Sequence, residues 1–513
     1  MTALWLAWLL VSPLAAAGQA SGGYRVAGVV VNAASGQPVV GARVTVYSIE
    51  RRDQQVSAVT LDDGRFAFPG LGAGRYELAG QRRGLLAGIP TGAIVAGPGL
   101  DTENVVLRLP PPAIISGKVV DDAGDPVAQA LVELFGTRII DGRRQLTKDS
   151  FTRSDDTGAY RFSSLPAGSY YLAVSAVPWY AKFNETHGDE APRAMTHAGY
   201  GIRYYPNAGE PAAAEPVVLR AGEEAIANFT LLPVPAASVE VHCEQEESLT
   251  KQYTLTALGL PGNPVYVRQG SATGDLYNLW GVPPGHYTLR TEAVDGSHTW
   301  YGTTEFDVGA SDTEVGVPLG AAPSLNGAVV VQGGVGLPAH LTVLLRDETG
   351  RSTALAMGAD GRFSTPAIPP GRYRVSIAGG DEYYLGRESE MLDIPAGAAV
   401  RFSLPISRGA SRIAGAVERD GQPLPGALVV LTPANRAVAS NSDGSYEFRG
   451  LPAGEYALFA VEDGVDLEYA NPAAIRPYLA DAKKVHLPPD VAHALLRAAP
   501  ALVPAPRSSS PLK

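Results

Sequence analysis

The sequence predicts an all-β chain, a tandem array of about five β-sandwiches of about seven short strands each. Three observations carry this. The 58 Gly and 41 Pro among 513 residues, with only 18% charged, favour turns over helices. Hydrophobic residues make up 45% and recur in short runs along the whole chain, enough for several cores. One strand-turn-strand fragment also returns along most of the length.

The fragment is DDGRFAFPGLGAGRY, from Asp62 to Tyr76. It recurs as DTGAYRFSSLPAGSY (Asp156 to Tyr170), ADGRFSTPAIPPGRY (Ala359 to Tyr373) and SDGSYEFRGLPAGEY (Ser442 to Tyr456). In all four copies the turn glycine and a later glycine lie ten residues apart: Gly64–Gly74, Gly158–Gly168, Gly361–Gly371 and Gly444–Gly454. A looser copy, Ala272 to Tyr287, stretches this spacing to eleven, Gly274–Gly285.

Each part has a physical reading. The Asp side chain bonds nearby amides and Gly accepts positive φ, which makes a tight turn. Alternating aromatics follow, Phe66/Phe68, Tyr160/Phe162 and Tyr446/Phe448, the period-two pattern of a half-buried strand. Leu-Pro-Ala-Gly or a near relative then ends the strand. The Tyr two residues after the second glycine opens the next one, and its hydroxyl is expected to bond back to the corner. Tyr76, Tyr170, Tyr287, Tyr373 and Tyr456 therefore read as structural.

Upstream lies a second recurring piece: a Gly-containing strand, a polar turn, a Pro, a small residue and a Val-rich strand. It begins at Tyr24, Ile114 and Ser411, with a looser version at Leu325. The expected units are repeat 1 at 24–110, repeat 2 at 113–235 with an insertion at 179–206, a diverged repeat 3 at 236–322, repeat 4 at 323–407 and repeat 5 at 410–490. Such an array predicts quasi-linear stacking, each unit touching mainly its neighbours. Residues 491–513 read as a flexible tail, with room for a short helix after Pro488.

These motifs resemble the carboxypeptidase regulatory-like domain. The combination is G-x-V, P-x-x-G-A-x-V and D-x-G-x-Y/F-x-F-x-x-L-P-A-G-x-Y. The resemblance implies a Greek-key, transthyretin-like sandwich of seven strands, similar also to carbohydrate-binding-like (starch-binding-like) and Cna B-type folds. In that family such modules are accessory, surface-exposed or adhesive parts. Tandem arrays behind a signal peptide are similar to envelope proteins of soil bacteria.

Composition narrows the partners. A net charge of −11 argues against nucleic acid, which needs a basic stripe. Residues 1–20 read as a signal peptide: an apolar run from Leu4 to Leu14 is followed by small residues, with an uncleaved anchor as the alternative. No membrane span is expected after cleavage. The chain is accordingly placed as secreted, periplasmic or on the outer cell surface. The only cysteine, Cys243, reads as a small buried hydrophobe.

No nucleophile elbow, phosphate loop or dinucleotide fingerprint is present, and the expected chain is non-catalytic and without cofactor. His187, Glu190 and His197 in the repeat 2 insertion have spacing that a loop metal site could use, although a solvated loop accounts for them. The exposed-ligand candidates are the aromatics of the same insertion, Trp179, Tyr180, Tyr204 and Tyr205, with Phe183 and Tyr200 nearby. Their rings suit stacking on sugar faces; the competing reading is that they seal a junction between units. The same choice applies to Tyr469–Leu479 in repeat 5, while the hairpin tip Arg138–Arg144 reads as solvated. The readings that follow are a cell-envelope scaffold or adhesin contacting protein or polysaccharide at the cell surface, a carbohydrate-binding protein, and a metal-dependent hydrolase.

Overall fold

The computed structural model describes residues 23–179 and 198–488, apart from positions 52, 89, 91, 244–248, 262, 297, 333–335, 338–340, 348–349, 381, 386–389 and 410, together with strands Leu495–Arg497 and Ala501–Val503. Residues 1–20, Tyr180, His187, Glu190 and His197 lie outside the described residues.

The chain is all-β. Its buried apolar side chains fall into five large clusters within 26–109, 113–231, 237–319, 325–406 and 413–487. Each lies between two sheets, and these pairs are here called the first to fifth sandwich. In the first, strands Arg65–Leu71, Tyr24–Asn32 and Val105–Leu109 form one sheet. Strands Gln55–Val59, Arg43–Ser48, Gly74–Gln81 and Ile94–Ala96 form the other. These are the seven strands expected, with Phe66, Phe68, Val26, Val44 and Leu78 turned inward.

One pairing rule recurs. The opening strand runs antiparallel to the strand after the Asp-Gly turn and parallel to a late strand of the same sandwich. It holds for Tyr24–Asn32, Ala113–Asp121, Ala237–His242, Ser324–Gln332 and Ser411–Ala416. The rule corrects the expected tail. In the fifth sandwich the late strand is Leu495–Arg497, parallel to Arg412–Ala414. Ala501–Val503 adds a further parallel pairing to Phe459–Val461. The repeat 5 boundary expected at 490 leaves out this strand, which takes the place that the pairing rule reserves for a late parallel strand.

The repeated residues are consumed by the fold. All five turn glycines have positive φ, from 74° at Gly64 to 91° at Gly274. Asp63, Asp155, Asp360 and Asp443 accept backbone N–H groups two residues on. The corner tyrosines share one geometry. Tyr76 Oη donates to Gly72 O at 2.9 Å, and Tyr170, Tyr287, Tyr373 and Tyr456 donate to the carbonyls of Pro166, Pro283, Pro369 and Pro452 at 2.7–2.8 Å. Tyr456→Phe removes one such bond and should lower stability by about 1 kcal/mol, read as a small fall in the thermal midpoint. An unchanged midpoint would show that the corner bond carries no net stability.

A recurring buried hydroxyl went unread. Thr60, Ser154 and Ser440 each stand four residues before a turn glycine. Each donates to a carbonyl (Val39, Val127, Leu424) and accepts from an amide (Ala42, Ala130, Ala427) at 2.6–2.9 Å. The signal was present in the sequence, a hydroxyl at fixed distance from the turn. Cys243 is fully buried in the third core, as its lone apolar character implied.

Candidate functional site

The sandwiches are not stacked in simple chain order. The turn Asn441–Ser442 of the fifth docks on the edge strand of the first. Asn441 Oδ1 accepts from Ala93 N at 3.2 Å, Ser442 Oγ from Val95 N at 2.9 Å, and Ser442 N donates to Ala93 O at 2.8 Å. The hairpin tip of the second, between strands Leu131–Ile140 and Arg143–Arg153, also meets the fifth. Ala470 N donates to Gly142 O at 2.9 Å, and Arg144 Nε pairs with Glu468 Oε1 at 3.1 Å. The tip expected to be solvated is thus a docking contact, and quasi-linear stacking gives way to contacts between units distant in sequence. A sheet edge leaves N–H and C=O groups that seek partners, and the turn supplies them.

The insertions divide in the same way. Tyr204 is 1% exposed and lies in a cluster with Phe135, Ala173, Leu260 and Val265, between the second and third sandwiches. This corrects its place among exposed ligand residues: the ring seals a junction. Tyr205 packs against the second core and is only partly buried. Trp179 is 74% exposed. In the fifth sandwich, helix Pro472–Leu479 covers the outer sheet face, with Tyr478 stacked on Phe459 at 5.3 Å between ring centroids. That insertion completes a core and brings Tyr469 against the hairpin tip at Gly142.

The junction of the second and third sandwiches carries a polar lock. Glu133, in the outer-facing pleat of Leu131–Ile140, is fully buried. Its carboxylate pairs with Lys148 on the neighbouring strand and accepts from Tyr266 N at 2.8 Å. Burial pushes the Glu133 carboxyl above its ordinary range, while Lys148 and the Tyr266 amide pull it back. Lys148 Nζ also sits 3.7 Å from the centre of the Tyr266 ring. Ser175 Oγ donates to Tyr266 O at 2.7 Å, and Asn263 Nδ2 donates to Leu146 O at 2.8 Å.

Beside this lock a cleft of about 480 Å³ opens between the second, third and fourth sandwiches. Lys148, Phe151 and Arg153 come from one edge strand, Tyr266 and Arg268 from strand Val265–Thr273, and Arg351 from the turn before strand Ser352–Leu355. Phe151 is 62% exposed. Arg153 Nη1 donates to Gln129 O at 3.1 Å and Arg268 Nη2 to Trp280 O at 2.7 Å, so both guanidinium groups are oriented. The cleft escaped the sequence reading because its residues belong to three units and show no common spacing. Among the described residues, no group of three or more His, Cys, Asp or Glu side chains is placed to hold a metal ion. Among the same residues, no helix is long and apolar enough to cross a membrane.

The carboxypeptidase regulatory-like domain model matches residues 25–108, 114–186 and 412–477, the three repeats that carry the signature most fully. No curated protein matches the chain. Several solved structures are similar at low identity. The Bacillus anthracis TIE protein is 12% identical, over 72% of this chain and 69% of that one, with a TM-score of 0.17. A minor pilin of Streptococcus agalactiae is 16% identical over 41% of this chain and 97% of its own, with a TM-score of 0.22. Two B repeat units of the collagen-binding protein of Staphylococcus aureus are 10% identical over 75% and 98%, with a TM-score of 0.13.

Proposed function

We propose that this chain, which carries three matches to the carboxypeptidase regulatory-like domain, is a non-catalytic scaffold or adhesin of the cell envelope. It is exported behind residues 1–20 and built of five domains that correspond to the five buried cores. The observation that carries this reading is how the repeated residues are spent. Turn aspartates and glycines, corner tyrosines and buried hydroxyls all serve the sandwiches, and the residues that differ between repeats serve contacts between them. A protein organised in this way holds surfaces in fixed relation, which is what a scaffold needs.

Fractionation of cells producing the full chain with a C-terminal tag tests the reading. The scaffold reading expects the protein in the exported or surface fraction, with a mature N-terminus near residue 20. An intact leader on cytosolic protein contradicts it. The carbohydrate-binding alternative is favoured by one observation, the exposed rings of Phe151 and Trp179 on the second sandwich. The hydrolase alternative rests on His187, Glu190 and His197 alone. It requires stoichiometric zinc in the purified protein that His187→Ala removes.

A further inference from the structure

We infer that the cleft between the second, third and fourth sandwiches is a binding site for an anionic sugar, a carboxylate-bearing unit of the uronate class. The inference rests on the scaffold reading in one respect only: it needs those three sandwiches held together.

Charge is the first argument. The chain carries a net −11, yet the exposed Arg153 and Arg351 line one opening, with Lys148, paired to Glu133, and Arg268, bonded to Trp280 O, in its wall. Glu133 sits behind Lys148, wholly buried, and the pair sums to no net charge, so among the described lining residues the arginines give the cleft its cationic surface. Gathering like charges is unfavourable for the free protein, and an anion in the cleft relieves it. Guanidinium forks match a planar carboxylate better than an ammonium does, and the two exposed cations of the lining, Arg153 and Arg351, are both arginines.

Shape and apolar lining are the second argument. A volume of about 480 Å³ lies within the range of roughly 300–1,000 Å³ for small-ligand sites. Phe151 presents its ring to the opening at 62% exposure. Trp179, also exposed, follows Val177 of the cleft wall by two residues. An exposed ring beside an arginine suits a pyranose that bears a carboxylate: the C–H face of the sugar lies on the ring while the carboxylate meets the cation. An acidic peptide would satisfy the cations and leave the rings unused.

Titration calorimetry on the full chain tests this, with tri-galacturonate as probe and maltotriose and tri-glutamate as controls. The inference expects tri-galacturonate to bind and maltotriose, of equal length but neutral, not to bind. Binding should weaken as salt rises from about 50 to about 300 mM. Arg153→Glu with Arg351→Glu, both at exposed positions, should lower the affinity at least roughly tenfold without moving the melting temperature. Phe151→Ala should weaken it as well. No heat with tri-galacturonate, equal affinity in the double variant, or equal binding of tri-glutamate would each overturn the inference. Its failure is distinguishable from that of the scaffold reading, since an exported, interlocked chain that ignores uronate refutes only the site.

Discussion

Gly117→Ala is expected to destabilise the second sandwich by about 3 kcal/mol or more, and to lower its thermal transition by roughly 10 °C or more. Gly117 lies in the opening strand Ala113–Asp121, with strands on both sides, and a Cβ there would fall 1.8 Å from Ala227 O. The carbonyl has no room to retreat. Tyr160 Oη donates to it, Ala227 N is bonded to Ser116 O at 2.8 Å, and Lys118 N holds Asn228 Oδ1 at 2.9 Å. Close approach of backbone, rather than an unusual dihedral, is what demands glycine here. The first sandwich repeats the arrangement: a Cβ at Gly28 would fall 1.9 Å from Val105 O. Calorimetry that finds the alanine variant melting within a degree or two of the parent contradicts this account of the opening strand.

Glu133→Ala should loosen the second sandwich from the third by about 2–4 kcal/mol. The change leaves Lys148 without its carboxylate and Tyr266 N without its acceptor, at a site where Glu133 has no exposed surface. Lys148 keeps 23% of its side-chain exposure, so water recovers part of the loss. Removing both charges differs in sign: Glu133→Leu with Lys148→Met should recover most of the stability, because the desolvation of both ions disappears along with their attraction. The pH dependence follows from the raised carboxyl. A folded-state value above the unfolded one means the contribution is full at low pH and declines as pH rises through the folded value. Glu133→Gln should remove that slope. Scanning calorimetry across the acid range reads all three variants, and a Glu133→Ala variant as stable as the parent contradicts the lock.

The sandwich itself was legible because its determinants are local. Asp-x-Gly turns, period-two aromatics and a Tyr two residues after a glycine each act within a dozen residues, so the sequence displays them directly. The junctions were legible only in outline. Tyr204 and Tyr478 could be either ligand rings or seals, and burial decided for sealing. Glu133, an acid inside the apolar run Leu131–Phe135, was a sign that the outer face of that strand is covered. Its partner Lys148, on a polar strand, looks like any solvated cation. The late strand Leu495–Arg497 was hidden because its pairing partner lies some eighty residues upstream, between Arg412 and Ala414. The docking of Asn441 and Ser442 on Ala93 and Val95 spans even more chain, and turn chemistry alone cannot distinguish a turn that closes a hairpin from one that also grips another unit.

That long-range contact decides whether the units form an interlocked scaffold or a loose string. Val95→Cys with Ser442→Cys puts one thiol on each of two residues joined by the Val95 N to Ser442 Oγ bond of 2.9 Å, while the native Cys243 is buried. Mild oxidation of the otherwise unaltered chain, followed by non-reducing electrophoresis, should give a fast-migrating monomer that reducing agent reverts. Two thiols that stay free, or that pair only between molecules, would contradict the interlocked arrangement.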